Sequence, residues 1–353
     1  MSRFFSSKLK NLTPYTPGEQ PKDTEYIKLN TNESPYPPSE KAIKYASDAA
    51  KTLNLYPDPT CSALHEAFAK NIGVDSDMVL ATNGSDEILN FAFMAFCDKN
   101  CGAVFPDITY GFYSVFAELN NVPYEEIPLK DDFIIDVNDY IGKNKTIFIA
   151  NPNAPTGIPL SLSQIEEILK GNPDNIVVID EAYIDFGNES AVSLIPKYDN
   201  LLVTQTFSKS RSMAGARLGF GIASKEIIAD LNTVKYSTNP YNINKMTMAS
   251  GLGVLEDNDY TLSNCKEIIK TREFTADALS SLGFSLTPST ANFVFAKHSK
   301  MSGKDIYLKL KENGILVRHF DKEIIKEYNR ITIGTREQME ALVSALKTIL
   351  GDN

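Results

Sequence analysis

Lys209 follows an apolar run and sits in Thr206-Phe207-Ser208-Lys209-Ser210-Arg211, with Arg217 eight residues further on. An amine that is desolvated or placed beside positive charge gives up its proton more readily and can attack a carbonyl. Three other clusters follow apolar runs in the same way. Thr82-Asn83-Gly84-Ser85-Asp86 opens a helical stretch, so free backbone N–H groups and a positive helix end would collect an anion there. Taken alone, the cluster reads better as a plain helix cap supplied by Ser85 or Asn83. Asn151-Pro152-Asn153-Ala154-Pro155-Thr156-Gly157 is a rigid turn whose amide can donate a hydrogen bond. Asp180 ends the run Ile176 to Asp180, with Tyr183 three residues on; a carboxylate in that position is costly unless it meets a cation.

One ligand uses all four clusters, pyridoxal phosphate. Its aldehyde needs a lysine amine, its ring nitrogen a carboxylate such as Asp180, and its phenolic oxygen donors such as Tyr183 and an asparagine amide. Its phosphate needs a helix start, a hydroxyl such as Ser208 and a forked cation such as Arg217.

The elements that must hold these groups are legible as short β-branched runs: Met78 to Ala81, Ala103 to Phe105, Tyr124 to Ile127, Thr146 to Ala150, Ile176 to Asp180, Leu201 to Thr206 and Leu218 to Ala223. Helical stretches such as Asp86 to Phe96 and Leu162 to Leu169 alternate with them. Runs apolar on successive residues suit strands covered on both faces. The pattern predicts an α/β fold with a mostly parallel sheet between two helical layers, its ligand outside the carboxyl ends of the strands. Residues 1–30 read as a polar, proline-punctuated arm and 31–243 as the large domain. Residues 244–353 read as a smaller α+β domain, entered through a long helical region from Asn244 to Leu282.

Composition narrows the function. The 353 residues carry a net charge of −10, and 42% are hydrophobic, which fits a globular protein and disfavours partners bound through many phosphates. No apolar run approaches the roughly 18 residues a membrane span needs, and the first residues lack the apolar centre of a signal peptide, so a cytoplasmic enzyme is expected. Four cysteines and three histidines have no ligand-like spacing, and no metal site is expected.

The segments LNTNESPYPP (29–38), LYPDP (55–59), TNGSDEIL (82–89), TYGFYS (109–114), NPNAPTG (151–157), VIDEAY (178–183), TFSKSRSMAGARLGF (206–220) and RITIGTRE (330–337) together resemble the histidinol-phosphate aminotransferases. These are fold-type-I pyridoxal-phosphate enzymes, and the resemblance runs in order along nearly the whole chain. It implies that Lys209 carries the cofactor as an imine, Asp180 pairs with the ring nitrogen, Tyr183 bonds the phenolic oxygen and Tyr110 stacks on the ring. The phosphate would be held by the amides of Ser85 and Asp86 with Ser208 and Arg217, and by Tyr56 of a second copy, which implies a homodimer with shared sites. Core packing is the ordinary duty of such tyrosines. Asn153 stands as the amide donor by position, because Ala154 occupies the place before the proline where relatives often carry asparagine. Arg336 would hold the substrate carboxylate, with Arg330, Arg318 and Asn32 as further candidates; Arg330 and Arg318 read equally as structural. The implied reaction is transamination between histidinol phosphate and 2-oxoglutarate in histidine biosynthesis. Aromatic transamination and threonine-phosphate decarboxylation would use the same lysine and aspartate. A DNA-binding regulator on this fold would need more chain than the arm offers, and no Gly-x-Gly-x-x-Gly follows the first strand to support a dinucleotide site.

Overall fold

The computed structural model describes residues 2–10, 12–21 and 25–351. The chain enters through β1 (Ile27–Leu29), α1 (Glu40–Ala50) and α2 (Ser62–Ile72). An alternation follows: β2 (Val79–Thr82), α3 (Ser85–Phe96), β3 (Ala103–Pro106), α4 (Phe112–Asn120), β4 (Tyr124–Ile127), β5 (Thr146–Ala150), α5 (Leu162–Gly171) and β6 (Val177–Asp180). It ends with β7 (Leu201–Thr206), β8 (Gly219–Ala223) and α6 (Lys225–Thr238). Beyond lie α7 (Lys245–Leu255), α8 (Asn258–Ser281), β9 (Phe284–Leu286), β10 (Phe293–His298), α9 (Gly303–Glu312), β11 (Ile315–His319), β12 (Tyr328–Thr332) and α10 (Arg336–Leu350).

The larger sheet has the order β2-β8-β7-β6-β5-β3-β4, and β8 alone runs against its neighbours. Apart from the edge strand β4, its strands are buried on both faces because alternate residues feed two cores. Ile147, Ile149, Val177 and Ile179 point into the layer that holds α2 and α5, whereas Phe148 and Val178 point into the layer of α3, α4 and α6. Phe148 stacks on Phe93 of α3 at 4.1 Å; full burial of one such ring contributes about 2–3 kcal/mol.

The smaller sheet, β1-β11-β12-β10-β9, is antiparallel except where β1 runs alongside β11. Part of the expected arm is therefore an edge strand of this sheet: Ile27 pairs with Ile315 and Leu29 with Val317. The expected helical region 244–282 is two helices. Asp257 leaves helical geometry (φ −122°, ψ 46°), after which the chain crosses to the smaller sheet. Val254 and Leu255 of α7 belong to the core of the larger sheet, while Cys265 and Ile268 of α8 belong to the core of the smaller one. Packing therefore divides the chain near residue 257 rather than at 244. The smaller core also takes in Ala154 and Tyr183 from the larger unit, so the seam between the units runs past the strand ends that carry the candidate site.

Candidate active site

At the carboxyl edge of the larger sheet lies a cavity of about 140 Å³, lined by residues that include Ser85, Asp86, Tyr110, Asp180, Tyr183, Ser208, Lys209 and Arg217. These come from the ends of β2, β3, β6 and β7 and the turns beyond them, the place where an open α/β sheet offers its crevice. A second cavity of about 470 Å³ adjoins it and shares Tyr110, Ala154, Tyr183 and Lys209. It reaches the N-terminal arm and the smaller sheet through Tyr15, Asn32, Arg318, Phe320 and Arg330.

The anion end is built around the start of α3. Gly84 caps that helix at φ +80°, and a side chain there would strike the Arg217 guanidinium, since a Cβ would lie 2.5 Å from its nitrogen. Gly219 on β8 lets the strand run beneath the same turn; a Cβ there would sit 2.3 Å from the Ser85 nitrogen. Arg217 itself is left-handed (φ +58°), a conformation that a non-glycine residue adopts at a cost and that often marks a functional position. Its guanidinium donates to Ser208 Oγ at 3.2 Å and to the Asp86 carboxylate at 3.0 Å. Asp86 also accepts the Tyr110 hydroxyl at 2.7 Å.

Asp180 is 4% exposed and forms no ion pair among the described residues. It accepts bonds at 3.2 Å from the Tyr113 hydroxyl and from the Ala182 N–H. Burial first, and the nearby Asp86 charge second, push its carboxyl up to about 7. Behind it Glu181 is fully engaged by Ser190, the Ala191 N–H and Gln205, and burial raises it to about 7 as well. Lys209 donates to the Thr31 carbonyl at 3.2 Å. Burial, reinforced by the Arg330 charge, lowers its amine to about 8, so roughly a tenth of it is neutral at pH 7, far more than for a free lysine.

Three sequence expectations change here. Asn153 does not present its amide to the cavity: Nδ2 donates to the Ile108 carbonyl at 2.9 Å and Thr156 Oγ1 at 3.1 Å, and Oδ1 accepts from Thr109. Its side chain staples the turn, and Ala154 supplies the wall. Arg336 lies outside both cavities, because at the first position of α10 its guanidinium turns to Glu340 at 2.8 Å and stacks on Phe274 at 3.3 Å. Arg330, on β12, is the arginine that faces Lys209 and Tyr183 across the larger cavity, held by the Asn30 carbonyl at 3.1 Å. Asn32 lines the larger cavity, but its amide is spent on Tyr183 and Thr332.

Tyr56 is 80% exposed and stacks on Tyr241 at 4.6 Å, outside both of these cavities. Arg318 donates to the carbonyls of Thr16 and Pro17 and lines the larger cavity. Two residues join the site that motif reading passed over. Tyr113, three residues after Tyr110 and hence on the same side of the turn into α4, touches Asp180. Tyr15 stacks on Phe112 at 4.3 Å and closes the outer cavity; no local signal announces that contact, which depends on where the arm is laid down.

An amine with lowered proton affinity, a buried carboxylate without a cation and a helix start with an arginine above it fit pyridoxal phosphate, its ring nitrogen supplying the missing positive charge. Fold and site thus define an α/β enzyme with a buried lysine of lowered proton affinity at the edge of its larger sheet. The chain matches the family model of aminotransferase class I and II over residues 24–346. It is 51% identical to the histidinol-phosphate aminotransferase of Brachyspira hyodysenteriae over 99% of both chains. It is 48% identical to that of Clostridium beijerinckii, over 100% of this chain and 99% of the relative. The crystal structure of the histidinol-phosphate aminotransferase from Clostridium acetobutylicum superposes with a TM-score of 0.85 at 25% identity, covering 93% of this chain and all of that one. The chain belongs to the class I and II aminotransferases, enzymes that work with pyridoxal phosphate. No described helix is long and apolar enough to cross a membrane.

Proposed function

We propose that this aminotransferase moves the amino group of histidinol phosphate to 2-oxoglutarate, forming imidazole acetol phosphate and glutamate in the cytoplasm as a step of histidine biosynthesis. The carrying observation is the near-50% identity, over full length, to proteins of that name, joined to a cavity that suits the chemistry. Both substrates carry small anionic groups. Arg318 and Arg330 face each other in register on β11 and β12 and line the cavity beyond Lys209 with Lys322, enough positive charge for a phosphate on one substrate and two carboxylates on the other.

Bound pyridoxal phosphate supplies an aldehyde and a ring that withdraws electrons from the substrate's α-carbon. Asp180 would hold a proton on the ring nitrogen, and Tyr183 would bond the phenolic oxygen. Ser208, Arg217 and the first amides of α3 would hold the phosphate. Lys209 Nζ, in its neutral form, would take the substrate's α-proton and return it one carbon away. Arg330 would orient the substrate carboxylate. Tyr110 would cover the ring, and Tyr56 would reach the phosphate of a second copy, making a homodimer with shared sites. The exposed stacked pair Tyr56 and Tyr241 supports that reading.

Single half-reactions test the substrate. Loss of the cofactor's visible band with histidinol phosphate, and not with threonine phosphate or phenylalanine, is expected; the reverse pattern would assign the chain to a decarboxylase or an aromatic transaminase. Borohydride reduction followed by peptide mapping should mark Lys209.

A further inference from the structure

The direction of a hydrogen bond can be read from what its partners already do. Asn32 is left-handed (φ +56°) and 1% exposed. Its backbone N–H donates to Thr332 Oγ1 at 2.9 Å. With that lone pair taken, the Thr332 hydroxyl proton goes to Asn32 Oδ1, 3.0 Å away. The carboxamide is thereby fixed in one orientation, and Nδ2 donates to the Tyr183 hydroxyl oxygen at 2.9 Å. An oxygen that accepts from Asn32 has its own proton to give elsewhere, and Tyr183 faces the cavity. Asn292 completes the mounting by donating to the Asn32 carbonyl at 3.0 Å.

The surroundings make this direction count. Ala154 lines the same wall with no polar side-chain atom, and both amide hydrogens of Asn153 are used inside the turn. Thr332 is two residues from Arg330 on β12, so the strand that carries the cavity's arginine also sets the relay. The charged groups around Tyr183 are Lys209, whose ammonium lies 5.9 Å from the ring, Arg330, Asp180 and Asp86. None of the four donates to or accepts from its hydroxyl; Asn32 does.

We propose that Asn32 and Thr332 are positioning residues that aim the Tyr183 proton at the phenolic oxygen of pyridoxal phosphate, acting on the cofactor only through Tyr183. This rests on the assignment of Tyr183 in the function proposed above. A hydrogen bond to the phenolate form lowers the pH at which the visible band of the lysine-bound cofactor changes, and its loss raises that pH.

Holoenzymes of the wild type, Asn32→Ala, Thr332→Val, Thr332→Ser, Tyr183→Phe and the Asn32→Ala/Tyr183→Phe double variant are titrated spectrophotometrically, with cofactor content and thermal melting recorded for each. Tyr183→Phe should raise the midpoint by about one pH unit, and Asn32→Ala and Thr332→Val by about half a unit. Thr332→Ser, which keeps the hydroxyl, should match the wild type, and the double variant should match Tyr183→Phe alone. Thr332→Val is nearly isosteric and keeps the test open if Asn32→Ala fails to fold. An additive shift in the double variant, or an unmoved midpoint in Thr332→Val, overturns the relay while leaving the functional reading intact. An unmoved midpoint in Tyr183→Phe removes both the relay and the role of Tyr183. A wild type with no visible band removes the cofactor reading and the relay with it.

Discussion

Arg217 bridges Ser208 beyond β7 and Asp86 at the start of α3, at 3.2 and 3.0 Å. The bridge is possible because Gly84 has no side chain: a Cβ there would lie 2.5 Å from the guanidinium, on a backbone at φ +80°. Gly84→Ala therefore adds backbone strain of about 1–3 kcal/mol, since φ +80° with ψ 163° is essentially a glycine conformation, and displaces the arginine. Affinity for pyridoxal phosphate, measured by titrating the apoprotein, should fall at least about tenfold, with secondary structure retained by circular dichroism.

Lys209 is expected to capture the cofactor in its neutral form. Burial and Arg330 lower its amine to about 8. The rate at which the apoprotein develops its visible band should climb through roughly that pH, then level off. Lys209→Arg, which stays cationic throughout, should develop no band at any pH and lose activity by at least about a thousandfold.

Asp180 gives a stability prediction with a definite sign. Its carboxyl is raised from 3.8 to about 7 in the folded chain, so between those values the native state binds more protons than the unfolded one. The stabilisation is complete below pH ~4 and is lost as pH rises through 7. Three units correspond to at most ~4 kcal/mol. The apoprotein's melting temperature should therefore drop between pH 4 and 7. Asp180→Asn should flatten that slope, leaving the part due to Glu181, which is raised for the same reason. Added pyridoxal phosphate should restore the wild type above pH 7 and do so far less in Asp180→Asn.

The local signals sufficed for the strands of the larger sheet and not for the direction of side chains. Thr146–Ala150 reads as a strand because five successive buried residues need cover on both faces, and it is one. The edge strand Ile27–Leu29 is three residues long and exists only through pairing with β11, which a window of sequence does not contain. Asn153 carries the right chemistry in the right turn, yet its neighbours Ile108 and Thr156 consume its amide. Asn32 is the converse: placed by motif near the substrate, it meets Thr332, 300 positions away, and that partner decides which way its amide points.

The arginines of RITIGTRE separate on the same principle, and this separation can be measured. Arg330 sits within an antiparallel ladder opposite Phe295 and Arg318, which fixes its side and aims it over Phe293 into the cavity. Arg336 begins a helix, where its guanidinium finds Glu340 one turn on and the Phe274 ring. Arg330→Lys keeps the charge and loses the planar fork, so kcat/KM for the dicarboxylate substrate should fall by about 10²-fold, or ~3 kcal/mol, most of it in KM. Arg336→Ala removes an exposed pair and a stacking contact, together worth about 1 kcal/mol of stability at most. Its kcat and KM should stay within about twofold of the wild type. If Arg336→Ala rather than Arg330→Lys raised KM, the carboxylate would be held at the start of α10, and the cavity arginine would be structural.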